Sequence, residues 1–136
     1  NFNSKKGNDL KKNPNASMCF HWKSLRRQIR ISGKVDVVED KVADDYYNSR
    51  AYRSRIGAWA SSQSSVMKNR KELIERFEQF EKKYPDQKNV PRPPHWSGWN
   101  LKPEQIEFWL EIKNRIHERL NYKKENNKWV KEILYP

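Results

Sequence analysis

Between Ala16 and Val38 the chain carries three runs of strand-forming residues, Ala16-Ser-Met-Cys-Phe-His-Trp22, Leu25-Arg-Arg-Gln-Ile-Arg-Ile31 and Lys34-Val-Asp-Val-Val38, with two residues separating each from the next. A parallel crossover needs a dozen or more residues, so runs this close pair as antiparallel neighbours. The spacing predicts a mostly antiparallel sheet, with Ser32-Gly33 as one of its turns. In the second run Arg27 and Gln28 point to opposite faces, so one of them enters the interior or a ligand site. A single buried glutamine is more often a satisfied core amide than a ligand contact.

Helical signals surround these runs. Ser4 stands at an N-cap position, and the helix it starts must stop before Pro14. That puts Lys5 and Lys6 in a first turn, where the helix dipole disfavours cations unless an anion is held there. Two solvated lysines on a short helix would look the same. Val42, Tyr46 and Tyr47 suggest a second helix from Glu39 to about Ser49, with Arg50–Arg55 as its basic exit, and Ile56–Ala60 reads as a short apolar element. Ser61-Ser-Gln-Ser-Ser65 offers many neutral donors to carbonyl or phosphate oxygens. Lys71–Tyr84 places Leu73, Ile74, Phe77, Phe80 and Tyr84 on one face of a scaffold helix. Pro85 and Pro91-Arg-Pro-Pro94 mark an extended connector ending at His95-Trp-Ser-Gly-Trp99. Near the C-terminus Asn126-Asn127 forms a hairpin turn into Lys128–Leu134. The reading is an antiparallel barrel with helices outside.

The densest chemistry lies in Gln105–Leu120, with aromatics, carboxylates and a histidine between two arginines. With the two-residue period of a strand, Arg115, His117 and Arg119 share one face. Such a row would grip an extended anionic ligand at two places with a titratable group between. A solvated basic strand face reads equally well from the run alone.

The 136 residues suffice for one domain, 1–136, and the chain starts at Asn1, which reads as a fragment or processed product. Apolar content is 35%, but six Trp, six Tyr and five Phe each bury large areas, giving a feasible but thin core that a partner subunit would help complete. Net charge is +12, yet the basic residues are scattered with no run of five. That pattern favours attraction for small phosphates over a nucleic-acid partner. Cys19 is the sole cysteine, which excludes an internal disulfide and a cysteine-built metal cage and fits a reducing cytoplasm. No stretch approaches eighteen consecutive apolar residues, so no helix-type membrane span is expected.

Seven motifs then fall in a definite order: Arg27-Gln28, Ser49-Arg50, Ile56-Gly57-Ala58-Trp59, Gln63-Ser64-Ser65, Trp96-Ser-Gly-Trp99, Glu104-Gln-Ile-Glu-Phe-Trp109 and Asn114-Arg-Ile-His-Glu-Arg119. In order and spacing, from Asn1 to Pro136, the chain resembles the pyridoxamine 5'-phosphate oxidase family. The resemblance implies an FMN-binding split β-barrel (α+β, mainly β), here lacking its N-terminal strands, with a dimerisation region at about 95–136. It implies a homodimer with FMN in two interface clefts, oxidising pyridoxine or pyridoxamine 5'-phosphate to pyridoxal 5'-phosphate. Hydride would pass from C4' to flavin N5, with O2 reduced to H2O2.

Carried over by motif, Lys5, Lys6, Gln28, Gln63, Ser64, Trp109 and Arg119 are expected to contact FMN, Trp109 and Arg119 from the second subunit. Tyr46, Arg50 and Ser54 are expected at the substrate phosphate, and the candidate catalytic residues Arg115 and His117 over the pyridine ring from the other subunit, Arg115 orienting the substrate and assisting at C4' and His117 either a second catalytic helper or a ring-binding contact. An upstream segment that carries an Arg and a Lys in the family is expected to be absent, and Leu110-Glu111 stands where the family more often has Gln-Gly. Two rivals remain: a split-barrel flavin binder without B6 oxidase activity, and a basic barrel for single-stranded nucleic acid.

Overall fold

The computed structural model describes residues 1–136. The chain divides into two compact units, one of Asn1–Lys12 with Val37–Trp99 and one of Asn13–Asp36 with Asn100–Pro136. The first holds the helices and the second the sheet.

In the helical unit α1 (Lys5–Lys12) begins at Ser4, whose Oγ accepts from Gly7 N at 3.2 Å. α2 (Asp40–Asn48) and α3 (Tyr52–Ala60) follow, then α4 (Arg70–Lys83). The predicted basic exit and short apolar element are instead a single helix, α3. Nothing between Tyr52 and Ala60 breaks the hydrogen-bond ladder, and Ile56 and Ala60, four residues apart, are fully buried on one face. Gly57 is tolerated mid-helix because it faces α4, where Phe77 lies within van der Waals reach.

Asn69 caps α4 by accepting from Glu72 N at 3.1 Å, and the Glu72 carboxylate reaches back to accept from Lys68 N at 3.3 Å, just before the cap. Trp59 packs on Phe80 and Tyr84 at 5.6 and 5.4 Å. Ala43, Tyr47, Ile56, Ala60, Val90 and Pro93 form the buried centre. The proline-rich connector is tied to α3 by Trp59 Nε1 donating to Pro91 O at 2.8 Å and by Arg55 Nη2 donating to Gln87 O at 2.5 Å. Its extended course, read from the prolines, is therefore anchored by side chains that have no partner in a regular ladder.

The sheet unit holds five strands in the order β1 (Asn15–Trp22), β2 (Arg27–Val37), β3 (Trp99–Leu110), β4 (Glu118–Glu125) and β5 (Lys128–Ile133). The pairs β1–β2, β3–β4 and β4–β5 are antiparallel, as the short connections demand. β4 and β5 meet at the expected hairpin: Asn126 and Asn127 take φ of 48° and 63°, the left-handed pair of a two-residue primed turn.

Ser32-Gly33 is not a turn. β2 runs straight through it, and Gly33 has no left-handed φ. A Cβ at Gly33 would lie 2.0 Å from Lys102 O, so the glycine is there to let the β3 backbone approach. The predicted strand face of Arg115, His117 and Arg119 also does not form. Lys113–Arg115 is a 3-10 turn, Asn114 and Arg115 have φ of 61° and 63°, and β4 starts only at Glu118. The turn reverses the chain between β3 and β4, and reversal consumes the residues that strand periodicity would have aligned.

Pleating separates two faces. Gln28 and Arg30 of β2, Glu107 and Trp109 of β3, and Arg119 and Asn121 of β4 share one, joined by contacts among Arg30, Glu107 and Arg119. Ile29, Phe108, Leu110 and Leu120 share the other and line an apolar cleft of about 490 Å3. No helix is long and apolar enough to cross a membrane.

Candidate functional site

The sheet unit gathers Gln28, Trp109 and Arg119, three of the five predicted residues it contains, on its polar face. Glu107 is the centre of that face. Its side chain is 5% exposed, and it meets two guanidiniums: Arg30 Nη2, and Arg119 through a fork of Nε to Oε1 at 2.9 Å and Nη2 to Oε2 at 3.2 Å. Hydrogen bonds from Arg119, followed by those from Arg30, hold the Glu107 carboxyl below its ordinary value against the opposing effect of burial. Arg119 is correspondingly held above its ordinary value by Glu107.

A third Arg119 donor, Nη1, goes to Tyr135 O at 2.9 Å. Two of the five guanidinium N–H groups remain for a ligand. Two arginines against one carboxylate leave the Arg30, Glu107 and Arg119 cluster with an excess positive charge, offset in part on the same face by Glu132, which accepts from Asn121 Nδ2 at 2.9 Å. Gln28 is half-buried, and its Oε1 accepts from Cys19 Sγ at 3.0 Å, so its amide N–H2 stays available.

Arg115 and His117 sit in and after the β3–β4 turn, apart from the strand row. His117 packs against Trp109 with ring centroids 4.8 Å apart. Its Nδ1 accepts from Ile112 N at 3.2 Å, so the proton of the neutral ring is on Nε2, a donor. Arg115 is exposed, and its left-handed backbone puts it at the apex of the turn.

In the helical unit Tyr46 and Arg50 are brought together by Trp96. Tyr46 stacks on that indole at 6.0 Å, and the Arg50 guanidinium lies over it at 5.3 Å. Trp96 is fixed in turn by Arg92, which donates to Trp96 O at 2.7 Å while pairing with Asp44 at 2.5 Å and Asp40 at 2.7 Å. Ser54 lies in the first turn of α3, where the N–H groups of Tyr52 and Arg53 find no partner in the chain. Arg50 and Ser54 thus flank a helix N-terminus, and a guanidinium, a hydroxyl and free N–H groups are donors of the kind an oxyanion accepts. At the start of α1 the N–H groups of Lys5 and Lys6 are also unpaired, and both side chains are exposed.

Gln63 and Ser64 occupy the turn after α3, closed by Ser65 N donating to Ser62 O at 3.0 Å, with Ser64 at φ 71°. Gln63 borders a cavity of about 240 Å3 with Asn1, Asn3, Trp59, Arg76 and His95. Sequence reasoning left Trp96, Arg92 and Glu107 outside the site. A signal existed for Arg92: Asp40 and Asp44, four apart on α2, form an acidic pair that needs a cation. Glu107 gave none, since a glutamate beside Phe108 and Trp109 reads as the polar half of an alternating strand.

Comparison with known proteins places the chain in a family. The family model described as pyridoxamine 5'-phosphate oxidase matches residues 1–110, and the one described as pyridoxine 5'-phosphate oxidase C-terminal dimerisation region matches 96–136. A pyridoxine/pyridoxamine 5'-phosphate oxidase of Pelagibacter ubique (strain HTCC1062) is 62% identical over all of this chain and 66% of its own length. The Rhodospirillum rubrum protein of the same name is 51% identical over all of this chain and 67% of its own. The chain therefore spans about two thirds of the curated relatives it matches.

Among solved structures, PhzG from Burkholderia lata 383, in complex with tetrahydrophenazine-1-carboxylic acid, superposes with a TM-score of 0.90 at 30% identity, covering 99% of this chain and 65% of that one. An FMN binding protein of Nostoc punctiforme PCC 73102, described as pyridoxamine 5'-phosphate oxidase-related, gives 0.72 at 18% identity over 99% of this chain and 70% of that one, a likeness of fold alone. The sheet is that of the split-barrel proteins. With its motifs in order, its fold shared and its full length matched, the chain belongs to the pyridoxamine 5'-phosphate oxidase family.

Proposed function

We propose that the protein containing this chain is an FMN-dependent oxidase that converts pyridoxine or pyridoxamine 5'-phosphate to pyridoxal 5'-phosphate, acting as a homodimer in a reducing, cytoplasmic setting. The observation that carries the reading is the polar sheet face, where Gln28, Trp109 and a partly unspent Arg119 come from three strands. The donor set suits FMN: a free amide and a half-satisfied guanidinium for the carbonyl-rich ring, and lysines at a helix start for the phosphate. When bound, FMN would take a hydride from the substrate C4' and pass its electrons to O2, giving H2O2.

The chain's own residues bind and orient. Arg119 stabilises negative charge on the ring it faces, an electrostatic contribution that needs no reorganisation. Lys5, Lys6, Gln63 and Ser64 hold the remaining polar groups of the cofactor. Tyr46, Arg50 and Ser54 hold the substrate phosphate, with Trp96 setting the angle between the first two. Arg115 orients the pyridine ring, and His117 donates from Nε2, since Nδ1 is engaged by Ile112 N. The shared interface is supported by the matched dimerisation region and by the open apolar cleft.

The fold likeness to PhzG leaves room for a tricyclic substrate. The cation and hydroxyl of Arg50 and Ser54, beside the free N–H groups at the start of α3, favour a phosphorylated one. The test is a paired assay with added FMN, scoring H2O2 and pyridoxal phosphate from pyridoxine 5'-phosphate. Yellow protein with both products supports the reading; yellow protein without pyridoxal phosphate makes it a flavin binder of other specificity, and colourless protein retained on single-stranded DNA removes the oxidase.

A further inference from the structure

Glu107 has no role among the residues that bind or react. A carboxylate taken to 5% exposure loses several kcal/mol of hydration, as an order of magnitude, unless it is paired and hydrogen-bonded. It is paired twice, and the pairing is asymmetric. Arg30 is half-exposed and meets Glu107 at one oxygen through Nη2. Arg119 is 26% exposed and is gripped through both Nε and Nη2 by both carboxylate oxygens.

A two-point fork fixes the plane of a guanidinium, which a single contact does not. Tyr135 O takes a third donor on the remaining nitrogen, so the plane and the direction of the two free N–H groups are both set. Arg119 and Glu107 also come from neighbouring strands in register, with Trp109 opposite Arg119 and Glu107 opposite Asn121, so the fork is built on rigid elements.

We propose that Glu107 is a positioning residue for the flavin: it orients Arg119, and through Arg119 it sets FMN affinity. The inference rests on the assignment of Arg119 to FMN in the proposed function. Arg30 takes the second share of the carboxylate and, after Arg119, helps to keep it ionised, but does not direct Arg119.

The test is FMN titration by quenching of flavin fluorescence, in the protein that contains these residues, with apoprotein melting measured alongside. Glu107→Gln keeps the size of the side chain and loses the charge, so the fork becomes a single weak contact. FMN Kd should rise roughly ten-fold, the loss expected for a hydrogen bond to a charged group. Arg119→Leu should raise Kd at least as much, and the double variant should be no worse than Arg119→Leu alone, because Glu107 acts only through Arg119.

Glu107→Asp keeps the charge but withdraws it by one methylene, and it too should raise Kd. This provides a reading if Glu107→Gln does not fold. Unchanged Kd in both Glu107 variants, with Arg119→Leu weakened, overturns the inference and leaves the proposed function standing. Additive effects in the double variant overturn it as well. Unchanged Kd in Arg119→Leu overturns the assignment of Arg119 itself, and the inference with it.

Discussion

Gly33→Ala tests how the sheet is put together. The new Cβ would stand 2.0 Å from Lys102 O and 2.9 Å from Glu104 N, both backbone atoms that cannot swing aside. Lys102 O must retreat by at least about 1 Å before the contact reaches 3.0 Å, the shortest that real Cβ atoms show. Overpacking of this kind costs about 1–3 kcal/mol. Displacing the β3 backbone also weakens two or so interstrand hydrogen bonds, at about 1 kcal/mol each. The total is about 3–5 kcal/mol, a large part of the ~5–15 kcal/mol that holds a typical domain together.

Urea unfolding followed by tryptophan fluorescence measures it directly. Gly98→Ala is the matched control, because its Cβ would meet only Val38 methyls at 3.4 and 3.5 Å and should change stability by less than about 1 kcal/mol. If Gly33→Ala were as mild as Gly98→Ala, the close approach of β2 and β3 would be wrong, and Ser32-Gly33 would have to be the turn that the sequence suggests.

Two further predictions concern the site. Trp96→Leu removes the surface on which Tyr46 stacks and over which Arg50 lies, so KM for pyridoxine 5'-phosphate should rise about ten-fold with FMN binding unchanged; steady-state kinetics with a parallel FMN titration checks both. The Glu107 carboxyl titrates lower in the folded protein than its ordinary 4.5, so its pairing contributes stability that is complete above that pH and disappears as pH falls toward the lower folded value. Acid unfolding of Glu107→Gln should lack this part of the pH dependence between about pH 4.5 and lower, while differing from the parent by a constant offset above it.

The elements that local chemistry specifies were legible in the sequence. Ser4 announced α1, the Phe77 and Phe80 stripe announced α4, and Asn126-Asn127 announced the last hairpin, because each depends on residues within a few positions. The failures came where a distant backbone decided. Gly33 looks like a turn until Lys102 is beside it. Arg115, His117 and Arg119 look like a strand row until the reversal between β3 and β4 is drawn, after which only Arg119 is in a strand.

The site shows the same division. Family motifs supplied the residues expected to touch ligands, and the sheet brings three of them, Gln28, Trp109 and Arg119, onto one face. The motifs contain Trp96 and Glu107 but gave no role to them, and Arg92 lies outside every motif. The Asp40 and Asp44 pair called for a cation, but that Arg92 supplies it and holds Trp96 shows only when α2 and the proline-rich connector meet, and the part of Glu107 only when β2, β3 and β4 lie side by side.

The most direct measurement compares Arg115→Leu with Arg119→Leu in one protein, titrating FMN and following pyridoxal phosphate formation. Arg119, forked to Glu107 on the polar sheet face, should loosen FMN when lost; Arg115, exposed at the apex of the turn, should abolish most turnover of pyridoxine 5'-phosphate with FMN still bound. Indistinguishable effects of the two substitutions would contradict the division of roles on which the proposed function rests.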